Sequence, residues 1–284
     1  MARIKIVTDS TADITREQME RYGITVVPLN VHFGDEVFKD GVDITPAAFY
    51  EKLQSSPVMP RTSQPSAGEF MEVYNELAED ADTIISLHIS SHLSGTLQSA
   101  EAARGMVDVE VLTFDTLLCS QAAARCAMLA AQAAAAGKTA PEIMALLEEA
   151  RAKTLLVFSA DTLEYLQKNG RIGRAQGIIG SLLQVKPILW VDKDGFVAQY
   201  DKVRGKSKVI PRLVAAAEEH FPAGTSINLS AIHSQAPDRA EQLTAAISAV
   251  YDVKDSCIQT IGPVIGAHIG PGATGLIVQP TFDL

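Results

Sequence analysis

The chain has few cysteines, one tryptophan, a deficit of positive charge and no long apolar run. Each shortage excludes something. Its three cysteines, Cys119, Cys126 and Cys257, are an odd number, and their spacing matches no metal-ligand or redox motif. A disulfide framework and a cysteine-held metal are therefore not expected. Cys119 and Cys126 are expected to sit on one helix and face the core together as inert packing. With 24 Lys and Arg against 34 Asp and Glu, the net charge is −10. Phosphate-backbone affinity needs a positive surface, so no nucleic-acid partner is expected. Two basic stretches, "KNGRIGR" (168–174) and "KVRGKSK" (202–208), run against this average and can meet an anion or an acidic partner. No apolar run approaches the roughly 20 residues that cross a bilayer, and "MARIKIVTDST" enters a strand at once without an apolar signal region. A cytoplasmic protein with no integral membrane segment is the expectation.

What is present is a chain of 284 residues, 47% hydrophobic and 20% charged, enough for a real core and suggestive of two domains. Strands alternate with helices through the first half: "RIKIVTDS", "TIISLHIS" and "VDVEVLTF" read as strands, and "ITVVPLNVHFGDEVFKDG" as a strand and a hairpin. Local signals delimit the helices between them. Thr15 with Gln18 and Ser66 with Glu69 have capping-box spacing, Thr45–Pro46 is an N-cap followed by a first-turn proline, and Gly23 and Gly137 are stops. Residues 55–66, with three prolines and no period, read as a loop. A helix of alanines runs from about 119 to 136. The pattern predicts a parallel sheet covered on both faces. The second half mixes "TLLVFSA", a hairpin turning at Asp194–Gly195, "SINLSAIHS" and "DSCIQTIG" with helices, including an apolar one at "GIIGSLLQV" (177–185). Its last segment, "PVIGAHIGPGATGLIVQP", reads as a glycine-rich loop and then a strand. The fold class expected is α/β in two domains, 1–152 with a parallel sheet and 153–284 mixed, with a ligand between them.

Several motifs fail on their context. "GPGATG" (270–275) has dinucleotide-fingerprint spacing but leaves too little chain for a βαβ unit. "AAAAGKT" (133–139) ends a helix instead of opening one. His88 and His92 straddle a strand end, so their spacing builds no metal site. Ser94 in "SHLSG" lacks the leading glycine of a nucleophile elbow, yet a serine hydrolase or acyltransferase using Ser94 remains the alternative.

Three hydroxyl-rich clusters are left: "TDSTAD" (8–13), "RTSQPS" (61–66) and "SSHLSGT" (90–96). Two of them follow a buried strand and precede a helix, where α/β sheets bind ligands. The other ends in a capping box. Helix N-termini with added Ser and Thr hydroxyls make anion clamps, though N-capping alone also places such residues there. Arg61 is the one cation among them, which suits a single carboxylate better than a polyphosphate. His268 lies in the glycine-rich "GAHIGPG" and can add a donor.

"VTDSTADI", "RTSQPS", "SSHLSGTLQSA", "DTLEYLQKNGRIGRAQGIIGSLLQVKPIL", "DGFV", "KVRGKSK" and "IGPVIGAHIGPGATGL" together resemble the DegV family of bacterial fatty-acid-binding proteins, in the family's order and across nearly the whole chain. The resemblance implies a lipid-binding carrier that is not an enzyme, needs no cofactor and no metal, and buries one long-chain fatty acid such as palmitate. The carboxylate would be held by Thr62, Ser94 and His268, with Ser63, Gly95 and Thr96 completing the ligand-binding set. Arg171, in the family's G-R-I motif, would dock a fatty acid kinase similar to dihydroxyacetone kinases. That kinase makes an acyl phosphate for phospholipid synthesis. One departure is Asn169 in place of an expected glycine, a mild change because Asn tolerates a left-handed backbone. A tail needs an apolar tunnel, and the "GIIGSLLQVKPIL" unit and the alanine-rich helix 119–136 are candidates because small side chains leave room, although close helix–sheet packing is the favoured reading of the alanines.

Overall fold

A computed structural model describes residues 3–178 and 185–284. In chain order the first half runs β1 (Ile4–Asp9), α1 (Arg16–Tyr22), β2 (Ile24–Val27), β3 (Asn30–Phe33), β4 (Glu36–Lys39), α2 (Pro46–Ser55), β5 (Arg61–Ser63), α3 (Ala67–Ala78), β6 (Thr83–His88), α4 (Thr96–Arg104), β7 (Glu110–Asp115), α5 (Gln121–Ala135) and α6 (Ala140–Lys153). The second half continues with β8 (Leu155–Ser159), α7 (Glu164–Lys168), β9 (Val185–Val191), β10 (Val197–Arg204), α8 (Val209–His220), β11 (Ser226–His233), α9 (Pro237–Ser248), β12 (Asp252–Thr260), α10 (Pro263–Ile269) and β13 (Thr274–Pro280).

The local signals act as written. Thr15 and Gln18 cap α1 reciprocally and Gly23 ends it with φ +63°. Ser66 and Glu69 do the same for α3, and Thr45 accepts from Ala48 N–H ahead of Pro46. After α5, Gly137 has φ +84°. Its N–H reaches Ala134 O at 3.0 Å and Lys138 N–H reaches Ala133 O at 3.0 Å, a glycine stop that satisfies two otherwise free carbonyls.

The strands form a parallel sheet in the order β2-β1-β6-β7, a six-stranded mixed sheet in the order β10-β9-β8-β13-β11-β12, and a small antiparallel sheet β4-β3-β5. In the mixed sheet β11 and β12 are parallel and the other neighbours antiparallel. The fold is thus α/β, with a parallel sheet before α6 and a mixed one after it. Helix α5 packs into a core that takes Ile85 and Leu87 from the first sheet and Leu156, Ile232 and Ile277 from the second. Its alanines Ala122, Ala123, Ala127 and Ala130 are almost wholly buried, which lets backbone approach backbone on both sides.

Four local readings need correction. The stretch 55–66 is not all loop: β5 forms there by pairing Val31 with Thr62, a long-range partner that overrides the prolines. His268 lies on α10, not in a loop, because Pro263 starts a helical turn. Asn169 has φ −90°, and Gly170 beside it takes the left-handed conformation, with φ +69°. Cys119 stands two positions ahead of α5, so it does not share a helix with Cys126. Most of the expected "GIIGSLLQV" helix, residues 179–184, lies outside the described residues.

Candidate functional site

A cavity of about 400 Å³ opens between the two larger sheets, within the size range of small-molecule sites. Its wall is mainly aliphatic and aromatic, with Leu29, Ile89, Phe158, Val191, Ile232 and Ile265 drawn from both halves. The alanines of α5 are absent from the wall because they are consumed in helix–sheet packing. Only Cys119 and Ser120, just before the helix, reach it. The alanines thus serve close helix–sheet packing, the reading favoured for them, and of the candidate tail paths the alanine helix does not line the cavity.

Five of the sequence-singled residues share this cavity's lining: Thr62, Ser63, Ser94, Arg171 and His268. Thr62 is carried by β5 and His268 by α10, and Thr62 Oγ1 lies 2.8 Å from His268 Nε2. Burial, and then the nearby charge of Arg171, lowers the imidazole pKa to about 4. His268 is therefore neutral at pH 7. Its other nitrogen, Nδ1, is buried and has no hydrogen-bond partner among the described residues. When Nε2–H donates to Thr62, the Thr62 hydroxyl proton is free to point into the cavity.

Ser94 sits in the turn between β6 and α4. Its N–H donates to Ser90 O at 3.1 Å, and its Oγ lies 2.8 Å from Thr96 Oγ1. Helix α4 starts from Gly95, which brings no side-chain cap, and the Thr96 N–H of its first turn donates to Ser94 Oγ at 3.4 Å. Gly95 and Thr96 stand behind the wall and do not line it. A Cβ on Gly95 would meet the side-chain amide of Gln64, the far end of an exposed side chain that can shift to admit it. Gln64 itself lines the cavity and donates to Ser99 Oγ at 3.1 Å. Gln64 lies inside the "TSQ" triplet, but no local pattern marks it as a wall residue. Ser63 Oγ is engaged by His32 Nε2 at 2.9 Å.

Arg171 is exposed, and its guanidinium donates to Leu93 O at 3.2 Å and Asn169 O at 2.9 Å. It thereby ties the basic "NGR" segment to the residue preceding Ser94. Asn169 in turn donates to Ala267 O at 2.8 Å, next to His268.

The geometry does not equip Ser94 as a nucleophile, because its hydroxyl partner is Thr96 and the nearby His268 is bonded to Thr62. A Ser–His–Asp arrangement exists elsewhere. Ser86 Oγ lies 2.7 Å from His88 Nε2, and His88 Nδ1 lies 2.9 Å from Asp9 Oδ2. All three are essentially inaccessible, at 0%, 0% and 1% exposure, so no substrate reaches Ser86. They brace the carboxyl edge of the parallel sheet.

A family model described as an uncharacterised protein of the DegV family matches residues 3–281. This chain belongs to the DegV family. A DegV domain-containing protein of Streptomyces coelicolor is 41% identical over 279 residues, covering 97% of this chain and 98% of the relative. Among solved structures, a DegV family protein from Thermus thermophilus described by its fatty acid binding superposes with a TM-score of 0.93 at 34% identity, covering 98% of this chain and all of that one. DegV of Bacillus subtilis, described as a fatty acid binding protein, superposes with a TM-score of 0.92 at 35% identity, covering 99% of this chain and all of that one. The cavity of this DegV protein thus occurs on the scaffold of relatives characterised as lipid binders. No helix among its described residues is long and apolar enough to cross a membrane.

Proposed function

We propose that this DegV protein binds one long-chain fatty acid, with its carboxylate at Thr62, Ser94 and His268 and its hydrocarbon tail in the apolar cavity between units 1–152 and 153–284. The observation that carries this is the Thr62–His268 hydrogen bond on the wall of a largely hydrocarbon-lined space. Each buried methylene contributes about 0.8 kcal/mol, so the tail supplies most of the affinity before ordering costs. The head group needs satisfied hydrogen bonds instead. Neutral donors from Thr62 and Ser94 provide them, and Arg171 adds positive charge without being buried.

The protein acts as a carrier in this reading. It presents the acid to a dihydroxyacetone-kinase-like fatty acid kinase, which makes the acyl phosphate used in phospholipid synthesis. What supports the docking role of Arg171 is its position: exposed, on the cavity lining, and bonded to the loop of Ser94.

The test is a native mass spectrum of purified protein with the ligand released and identified. Near one intact free acid per chain is expected. Ser94→Ala is expected to weaken fatty acid binding by about 1–3 kcal/mol, the cost of taking a donor from a buried charged acceptor. Unchanged affinity in that variant overturns the clamp, and labelling of Ser94 by an active-site serine probe favours the hydrolase.

A further inference from the structure

Ser94 and His268 belong to opposite halves of the chain, so a carboxylate meets both only when the halves are held in register. One contact beside the cavity spans the halves: the hairpin between β9 and β10 reaches the turn that carries Ser94. Ser90 Oγ donates to Gly195 O at 2.8 Å, and both residues are buried. Gly195 has φ +83°, and a Cβ there would also press on the Leu117 backbone at 3.3 Å, so this close approach requires glycine. One residue further, the ring of Phe196 stacks on His92, with centroids 4.0 Å apart and planes 23° from parallel.

Phe196 is fixed from its own side. Its N–H donates to Asp192 Oδ1 at 3.0 Å. Arg174 lies over its ring, 4.4 Å from the centroid, while Nη1 of the same guanidinium donates to Asp192 Oδ2 at 2.7 Å and to Asp194 Oδ2 at 2.8 Å. His92 thus rests on a ring that is already held. From His92 the constraint passes along one hydrogen-bonded turn, in which Ser90 O accepts the Leu93 N–H at 2.9 Å and the Ser94 N–H at 3.1 Å. Leu93 and Ser94, which follow His92, line the cavity, and so does Val197, which follows Phe196. Phe196 and His92 themselves do not.

We propose that Phe196 is a positioning residue for carboxylate recognition: by stacking on His92 it sets where the Ser94 hydroxyl stands relative to His268. The inference rests on the fatty-acid reading above and adds to its clamp a residue that touches no ligand. A hydrogen bond weakens steeply as its distance and angle drift, whereas burial of hydrocarbon is non-directional. Loss of the ring therefore acts on the head group and spares the tail.

The experiment measures binding of octadecanoic acid and of octadecanol, which has the same tail and no carboxylate, by displacement titration. In Phe196→Ala and in His92→Ala the acid-to-alcohol affinity ratio is expected to fall about fivefold, as for a weakened hydrogen bond to a charged group, with the alcohol within about twofold of wild type. Phe196→Tyr, which keeps the ring, retains the wild-type ratio. Ser94→Ala lowers the ratio by itself, and adding Phe196→Ala to it lowers the ratio no further, since the ring acts through that hydroxyl. His92 is exposed, so its variant keeps the test in force if Phe196→Ala does not fold. A ratio that falls in Ser94→Ala alone, an equal loss for acid and alcohol in the stacking variants, or a further fall in the double variant overturns the inference and leaves the fatty-acid reading standing. A ratio unmoved in every variant, Ser94→Ala included, overturns the clamp and the inference together.

Discussion

Thr62 and His268 lie 206 positions apart in the chain and meet at 2.8 Å. A hydroxyl from a three-residue edge strand and an imidazole from a seven-residue helix thus depend on the packing of β5 and α10 for their alignment. Removing the hydroxyl while keeping the shape isolates its part. Thr62→Val is expected to weaken fatty acid binding roughly tenfold to a hundredfold in a displacement titration, because a buried carboxylate loses a donor and His268 loses its partner. Wild-type affinity in this variant would remove Thr62 from the clamp.

The legibility of this site in the sequence divides by range. The caps of α1, α2 and α3 were readable because Thr15, Thr45 and Ser66 act on residues three positions away. Strand β5 was not, because its backbone partner is β3, thirty residues upstream, and the prolines around it signal a loop. The helix bearing His268 was hidden for a related reason. Glycines argue against helix, but Gly266 is there so that α10 can lie against Phe49 and Tyr50. The clamp residues themselves were legible through family motifs. Gln64 and the wall positions Thr11 and Ser120 were not assigned, because lining a cavity is a property of packing and no local pattern encodes it.

Gly266 gives the next test. A Cβ at this position would lie 2.8 Å from both Phe49 Cε1 and Tyr50 Oη, which belong to side chains buried to within 2%. Neither ring can easily yield, and Tyr50 is also fixed by its bond to Ile261 O. Gly266→Ala is expected to cost about 1–3 kcal/mol in a denaturant titration, the range for overpacking a core. It should also reduce ligand affinity, since pushing α10 away carries His268 from Thr62.

The N-terminus of α10 rests on two buried acids, and these set a pH dependence. Burial raises Asp40 to about 7, against the pull of the Ser10 hydroxyl and Val264 N–H, and raises Asp13 above its ordinary value. Such a group takes up a proton more readily folded than unfolded. Its contribution to stability therefore grows as pH falls from about 7 toward the unfolded value near 4, and is lost as pH rises through 7. Asp40 Oδ2 has no partner among the described residues, so the charged form is poorly compensated. Asp40→Asn is expected to raise the melting temperature at pH 8 and to have little effect at pH 5. An equal shift at both pH values would show that Asp40 does not titrate in this range.

Cys119 offers a way to read the tail's path. Its thiol lines the cavity, and burial, with Asp13 and Asp9 nearby, pushes its pKa up to about 12, so it is a poor nucleophile and behaves as a small apolar group. Replacing it by Phe directs a larger side chain into the space beside α5. If the hydrocarbon runs past this point, the shortened cavity must reject the longest acids first, since each methylene left unburied forfeits about 0.8 kcal/mol. Cys119→Phe is thus expected to move the preferred acyl length down by several carbons in competition binding, with the carboxylate contacts of Thr62 and Ser94 intact. An unchanged length preference would show that the tail does not pass Cys119.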